Sequence, residues 1–311
     1  MYDIIIIGGG PAATAAAVYA ARKRMKTLLI AEEFGGQSIV SDDIQNWIGE
    51  QHISGYDLAK KFEAHVRAFP EMVEIKIERA TSVKPVRCNA ENICDFEVET
   101  SKGKYEAKTV MLGAGARRRK LGVPGEEELN GRGVAYCSTC DAPLFSGKAV
   151  AVVGGGNAGL EAVIDLASYA TKIYLLEFGE TLKGDPITLE EIKKNPKVEI
   201  ICNAQSKKIE GEKMVTGITY FDRKSNTEKM LAVGGVFVEI GSVPNSEMVK
   251  GVVDLDKFGQ VIIDSKHATT SHLGIFAAGD ITDDPYKQNN ISAGDAVKAA
   301  LSAYAYLLKR E

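Results

Sequence analysis

Cys137-Ser138-Thr139-Cys140 is the spacing in this 311-residue chain best suited to covalent chemistry. Two thiols three positions apart can close a small-ring disulfide. Neighbouring groups can stabilise one of them as a thiolate, so the pair can cycle under mild potentials. Asp141 follows at once and reads either as a proton shuttle or as a turn residue ahead of Ala142-Pro143. Metal ligation is the other use of such spacing, but zinc needs two more ligands. The chain has no second C-x-x-C, and His52, His65, His267 and His272 are scattered. Cys88, Cys94 and Cys202 read as ordinary structural or surface positions.

A second chemistry lies in the glycines. Gly8, Gly10 and Ala13 follow the apolar run Ile4–Ile7 and lead through Pro11 and Ala12 into an Ala-rich stretch. Gly154, Gly156 and Gly159 follow Ala149–Val153 and lead through Asn157 and Ala158 into another. In the dinucleotide fingerprint the first glycine makes the turn, the second admits a pyrophosphate and the third position packs helix on strand. Each loop is trailed by an apolar run ending in an acid. Glu32, with Glu33 behind it, stands 24 residues after Gly8, and Glu177 stands 23 after Gly154. A carboxylate there accepts hydrogen bonds from ribose hydroxyls and repels a 2′-phosphate.

These residues need strand–turn–helix units to position them, and two matching units imply two nucleotide-binding domains. The expected class is α/β, with two Rossmann-like three-layer dinucleotide-binding domains, the second inserted into the first. Periodicity predicts a helix around Tyr56–Phe69, strands near 73–78, 93–100 and within Lys213–Val238, and a terminal helix from about Ala293 to Leu308. Gly-rich stretches at 113–116 and 241–245 serve as crossings, giving domains 1–113 with 245–311, and 114–244. The composition is 45% hydrophobic and 26% charged, which excludes disordered and collagen-like classes. A net charge of −4 argues against a nucleic-acid partner. Arg117-Arg118-Arg119-Lys120, just before Glu126-Glu127-Glu128, reads as a solvated loop face. No apolar run reaches the ~18–20 residues of a bilayer span, and Asp3 precedes the first apolar run, so a cytoplasmic protein is expected.

In order along the chain, Gly8-Gly-Gly-Pro-Ala12, Phe34-Gly-Gly-Gln37, Gln45-Asn-Trp47, Cys137-Ser-Thr-Cys-Asp141, Gly154-Gly-Gly-Asn-Ala-Gly159 and Phe276-Ala-Ala-Gly-Asp280 resemble the low-molecular-weight thioredoxin reductase family. The resemblance covers essentially the whole chain. It implies FAD in the first domain, a nicotinamide nucleotide and the redox dithiol in the inserted one, and a homodimer whose inserted domain swings. It assigns Gly8, Gly10, Gly35, Gly36, Gln37, Asn46, Gly279, Asp280 and Gln288 to FAD, with Gly115 at the crossing. Cys140 would face the flavin, Cys137 would attack the partner disulfide, and Asp141 would give and take the proton.

Departures from the family pattern carry further expectations. NADPH-using members have a His-Arg-Arg-x-x-x-Arg cluster where this chain has Glu177-Phe-Gly-Glu-Thr-Leu-Lys183, leaving one lysine as the nearby cation. NADH is therefore expected over NADPH. The same stretch, with Pro285-Tyr-Lys-Gln288, is similar to the reductase portion of the NADH-dependent alkyl hydroperoxide reductase flavoprotein. That protein has an N-terminal thioredoxin-like module. Here the first strand begins at Asp3, so the expected acceptor is a separate thioredoxin- or glutaredoxin-like protein. Asn289-Asn290 replace small or aliphatic residues beside the flavin segment. Two alternatives stay open, a ferredoxin-dependent relative without nicotinamide use and a non-catalytic C-x-x-C redox or metal-binding module.

Overall fold

Four consecutive isoleucines, Ile4–Ile7, form the centre of β1 (Tyr2–Ile7) in the computed structural model, which describes residues 1–41 and 43–310. All four are buried, as expected for a β-branched run flanked by strands and covered on both faces. The chain divides into two compact units, 1–117 with 243–311, and 118–242.

The first unit continues with α1 (Pro11–Arg22), β2 (Thr27–Ala31), α2 (Gly55–Arg67), β3 (Val73–Ile77), β4 (Ala80–Val86), β5 (Asp95–Thr100) and β6 (Lys104–Leu112). A short crossing strand, β7 (Ala116–Arg118), leads out of it. The second unit contains β8 (Val134–Ala135), α3 (Ser138–Asp141), β9 (Ala149–Val153), α4 (Asn157–Ala167), β10 (Lys172–Leu176), α5 (Pro186–Lys194), β11 (Val198–Ile201), β12 (Ala204–Gly211), β13 (Val215–Asp222), β14 (Thr227–Ala232) and β15 (Gly235–Val238). The return crossing β16 (Ser242–Pro244) pairs with β7, after which β17 (Ile275–Ala277) and α6 (Asn289–Arg310) complete the first unit.

In the first unit the sheet order is β3-β2-β1-β6-β5-β4, with β17 also on β6. The strands β3, β2, β1, β6 and β17 run parallel, and β4–β5 is an antiparallel hairpin on the early part of β6. α1 lies on α6 through alanines, with Ala13, Ala16, Ala17 and Ala20 in one cluster with Ala296, Ala299, Ala300 and Ala303. Small residues let the two backbones approach, and each buried methyl contributes on the order of 1 kcal/mol. α6 starts four residues before the expected Ala293, at Asn289.

The second unit has a parallel sheet in the order β11-β10-β9-β15-β8 and a separate antiparallel sheet β12-β13-β14. The strand that leads to the cysteine pair is thus next to β15, which is next to the strand of the second glycine loop. The units meet in sequence at 117/118 and 242/243, whereas the glycine pattern placed the crossings at 113/114 and 244/245. Gly113 has a packing reason instead, since a Cβ there would lie 3.0 Å from the Ala13 nitrogen. Among the described residues no helix is long and apolar enough to cross a membrane.

Candidate functional site

The two glycine loops separate into positions the protein itself requires and positions it does not. Gly8 has φ +128°, and a Cβ there would fall 2.2 Å from the Gly113 carbonyl oxygen, so the turn out of β1 admits glycine alone. Gly159 is needed for helix–strand contact, because its Cβ would lie 1.8 Å from the Gly154 oxygen. Gly10 and Gly156 have ordinary φ values of −83° and −88°. A Cβ at Gly10 would meet only Gly36 Cα, at 3.7 Å, and at Gly156 nothing within 4 Å. Packing explains neither glycine, whereas a ligand backbone drawn close to the chain explains both.

Helix capping points the same way. Ser54 caps α2 and Asp185 caps α5 through side-chain oxygens. α1 and α4 have neither a side-chain cap nor an acid in the first turn. Pro11 at the start of α1 suits its first position, and Ala12, Asn157 and Ala158 occupy the same opening turns. Amides left uncapped at a glycine loop suit a phosphate. The residues present therefore fit a dinucleotide in each unit.

In the first unit, remote segments gather at the Gly8–Gly10 loop. Gly36 packs on Gly10, and Gly279 packs on Ala12 and Ser292. Gln37 Nε2 donates to Asp280 Oδ2 at 3.0 Å, and Asn46 Nδ2 donates to Gln288 Oε1 at 3.3 Å. Gly35 and Gly36 open the short 3-10 helix Gly36–Val40. Glu32 follows β2, exposed and 3.4 Å from Arg79 Nε, while the Glu33 carbonyl lies under Gly9. Gly115 accepts the Asn245 amide at 3.0 Å. The unusual asparagines have a definite job. Asn289 Oδ1 accepts from Ser38 Oγ at 2.9 Å, and Asn290 Nδ2 donates to the Asn46 carbonyl at 2.6 Å, so the two tie Ser38 and Asn46 to the start of α6. Lys287, which sequence reasoning missed, is partly buried and donates to the Thr282 carbonyl at 2.6 Å. Burial lowers its pKa against the pull of Asp280 and Asp284.

In the second unit, Glu177 is fixed to the glycine loop. Its Oε2 accepts the Gly155 amide and its Oε1 the Gly179 amide, each at 2.7 Å. Asn157 Oδ1 accepts the Asp185 amide at 2.8 Å. The expectation of a single nearby cation is corrected here. Arg223, in the turn after β13, stacks its guanidinium carbon 4.3 Å from the Phe178 ring centroid and donates to the Phe178 carbonyl at 3.1 Å. Its distance along the chain hid it.

Cys137 and Cys140 are bonded, both partly exposed, at the start of the one-turn helix α3. Ser138 Oγ and Thr139 Oγ1 donate to Asp165 Oδ2 of α4 at 2.7 and 3.3 Å. Beside Cys137, Tyr136 donates to Glu126 Oε1 at 2.9 Å, and Glu126 also accepts the Leu121 and Gly122 amides. Glu126 is only 1% exposed and Arg118 faces Asp141, so the Arg117–Glu128 segment is not simply a solvated face. Burial pushes the Asp141 carboxyl up to about 6, against the opposing charge of Arg118. Cys88 and Cys94 are corrected as well, since they form a second disulfide across the ends of β4 and β5. Cys202 is free and partly buried.

A family model described as pyridine nucleotide-disulphide oxidoreductase matches residues 2–300. An NADH dehydrogenase of Bacillus subtilis is 43% identical over 285 residues, covering 92% of this chain and 54% of that protein. A component of the alkyl hydroperoxide reductase of Pseudomonas aeruginosa is 44% identical over 286 residues, covering 92% and 54%. The chain spans about half the length of these curated relatives. Among solved structures, a thioredoxin reductase from Streptococcus pyogenes superposes with a TM-score of 0.91 at 36% identity, covering 99% of both chains. One from Giardia duodenalis gives 0.90 at 28% identity, again with 99% of both covered.

Proposed function

The chain belongs to the pyridine nucleotide-disulphide oxidoreductase family, and from that membership we propose that it passes electrons from NADH to the Cys137–Cys140 disulfide and on to a separate thioredoxin- or glutaredoxin-like protein. The family implies FAD and a nicotinamide nucleotide, and the overall likeness is to thioredoxin reductases. When bound, FAD would supply the two-electron link between a nicotinamide hydride and a disulfide. The first unit would hold FAD through Gly8, Gly10, Pro11, Ala12, Ala13, Glu32, Glu33, Gly35, Gly36, Gln37, Asn46, Gly115, Gly279, Asp280 and Gln288. The second would hold NADH through Gly154, Gly156, Asn157, Ala158, Gly159 and Glu177.

The observation that carries the reading is a bonded C-x-x-C at the same carboxyl end of the parallel sheet as an uncapped glycine loop. In this reading Cys137 as thiolate attacks the partner disulfide, Cys140 resolves the mixed disulfide, and Asp141 handles the proton. The choice of NADH is supported by Glu177, whose carboxylate is held at the second glycine loop by two backbone amides and would repel a 2′-phosphate there. The name of one relative, NADH dehydrogenase, agrees with a reductase drawing on NADH. A cytoplasmic homodimer is the accompanying proposal.

The test compares flavin bleaching by NADH with turnover of a thioredoxin. Cys137→Ser should still bleach and should lose thioredoxin reduction. Undiminished turnover by that variant would remove Cys137 from its role.

A further inference from the structure

Asp165 stands in the second half of α4, eight residues beyond Asn157 and so about 12 Å along the helix from the glycine loop. Nothing in the nucleotide fingerprint calls for an acid there. Its side chain is half-buried, and one oxygen, Oδ2, accepts two hydroxyls, Ser138 Oγ at 2.7 Å and Thr139 Oγ1 at 3.3 Å. Those are the two residues between Cys137 and Cys140. Ser138 is 8% exposed, so its hydroxyl has little water to turn to. The rest of the turn is held as well. The Asp141 amide donates to the Cys137 carbonyl at 3.0 Å, and ahead of the pair Tyr136 donates to Glu126. α4 adds apolar support, with Leu160, Val163 and Leu166 in one cluster with Ala135 and Ala142. The chain before and after the cysteines is thereby fixed, and Asp165 grips the two residues between them.

We infer that Asp165 is a positioning residue of the dithiol centre, which by holding the Ser138 and Thr139 hydroxyls keeps the C-x-x-C turn in its closed-ring shape and stabilises the disulfide against the dithiol. The inference rests on the dithiol reading proposed above. The direction follows from linkage. In the disulfide the ring already fixes the turn, so the two hydrogen bonds form at little entropic cost. In the dithiol the same hydrogen bonds must order a turn that the S–S bond no longer constrains. They are therefore stronger in the disulfide, and by that difference they make it harder to reduce. A dithiol poised in this way is the better donor to a second disulfide.

The experiment equilibrates oxidised holoenzyme anaerobically with mixtures of reduced and oxidised dithiothreitol, quenches in acid, and measures open Cys137–Cys140 by alkylation and mass spectrometry. Two electrons and two protons pass from each dithiothreitol to the S–S bond, giving two protein thiols and the cyclic oxidised reagent, so the exchange balances without nucleotide. Asp165→Ala should reach half-reduction at a reduced-to-oxidised ratio about tenfold below that of the wild type, which is about 30 mV. Asp165→Asn keeps an acceptor oxygen and should shift less. Ser138→Ala should reproduce most of the Asp165→Ala shift, and combining the two should add less than about threefold, because they remove one contact. The Cys88–Cys94 midpoint should stay where it is. A lowered Tm with an unmoved Cys137–Cys140 midpoint in Asp165→Ala would reduce Asp165 to a structural prop. Shifts from Ser138→Ala and Asp165→Ala that simply multiply would break the link between them. NADH applied to the same oxidised samples separates the two claims. If dithiothreitol opens Cys137–Cys140 and NADH does not, the electron route fails while the Asp165 result stands.

Discussion

Glu177→Gln should shift nucleotide preference toward NADPH by a calculable amount. The wild-type carboxylate is held by the Gly155 and Gly179 amides, so it cannot swing away from an incoming 2′-phosphate without losing two charge-assisted hydrogen bonds. That phosphate carries close to two negative charges. At about 5 Å, with an effective dielectric near 70 for this half-solvated position, each charge pair costs roughly 1 kcal/mol. The carboxylate therefore penalises NADPH by about 2 kcal/mol, close to 30-fold. Glutamine removes the charge and keeps one acceptor for the loop amides, so the loss of loop order weakens both nucleotides alike and cancels in the ratio. The assay is kcat/KM for NADH and NADPH with one disulfide acceptor. The ratio should fall about 30-fold in the variant. A change of less than threefold, or a wild type that prefers NADPH, would refute the electrostatic argument.

Other consequences follow from single contacts. Gly156→Ala should raise the KM for NADH at least ~10-fold with Tm moved by less than about 2 °C, because its Cβ meets no protein atom. Gly159→Ala should instead cost about 2–3 kcal/mol of stability, since its Cβ would overlap the Gly154 carbonyl. Burial raises the Glu239 carboxyl in the folded chain to about 7 from 4.5, so the neutral form is the one folding favours. That contribution is complete below about pH 4.5 and is lost as pH rises through about 7. Glu239→Gln should accordingly match the wild type in urea denaturation at pH 4.5 and exceed it at pH 8, by up to about 3 kcal/mol. Cys88→Ser should lower stability by about 2 kcal/mol, the loop-closure entropy of a short ring, with NADH-driven turnover unchanged.

The parts of this protein that are legible in the sequence are those whose signal is local. Ile4–Ile7 and Ala149–Val153, followed by glycine and an Ala-rich stretch, declare strand, turn and helix within about 20 residues. The acids Glu32 and Glu177 stand out because each ends an apolar run. Glu239 ends Gly235-Val-Phe-Val in the same way, yet it does not stand out, because no glycine loop and helix follow the alternating Lys213–Val238 segment that it closes. Arg223 escapes for a different reason. It acts across a fold contact, on Phe178, and no spacing rule connects the two positions. The Cys88–Cys94 bond depends on the β4–β5 register, in which Val86 stands opposite Asp95, and register is set by pairing rather than by composition. Asn289 and Asn290 look anomalous only until their partners, Ser38 and the Asn46 backbone, are in place.

Where the electrons of NADH come to rest tests the central claim most directly. Holoenzyme is mixed anaerobically with one equivalent of NADH per chain, denatured in an alkylating agent and mapped by mass spectrometry. The account predicts two newly blocked sulfurs, at Cys137 and Cys140, for each NADH oxidised, with Cys88–Cys94 still bonded. NADH consumed while Cys137–Cys140 remains closed, or new thiols at Cys88 and Cys94 instead, would contradict it.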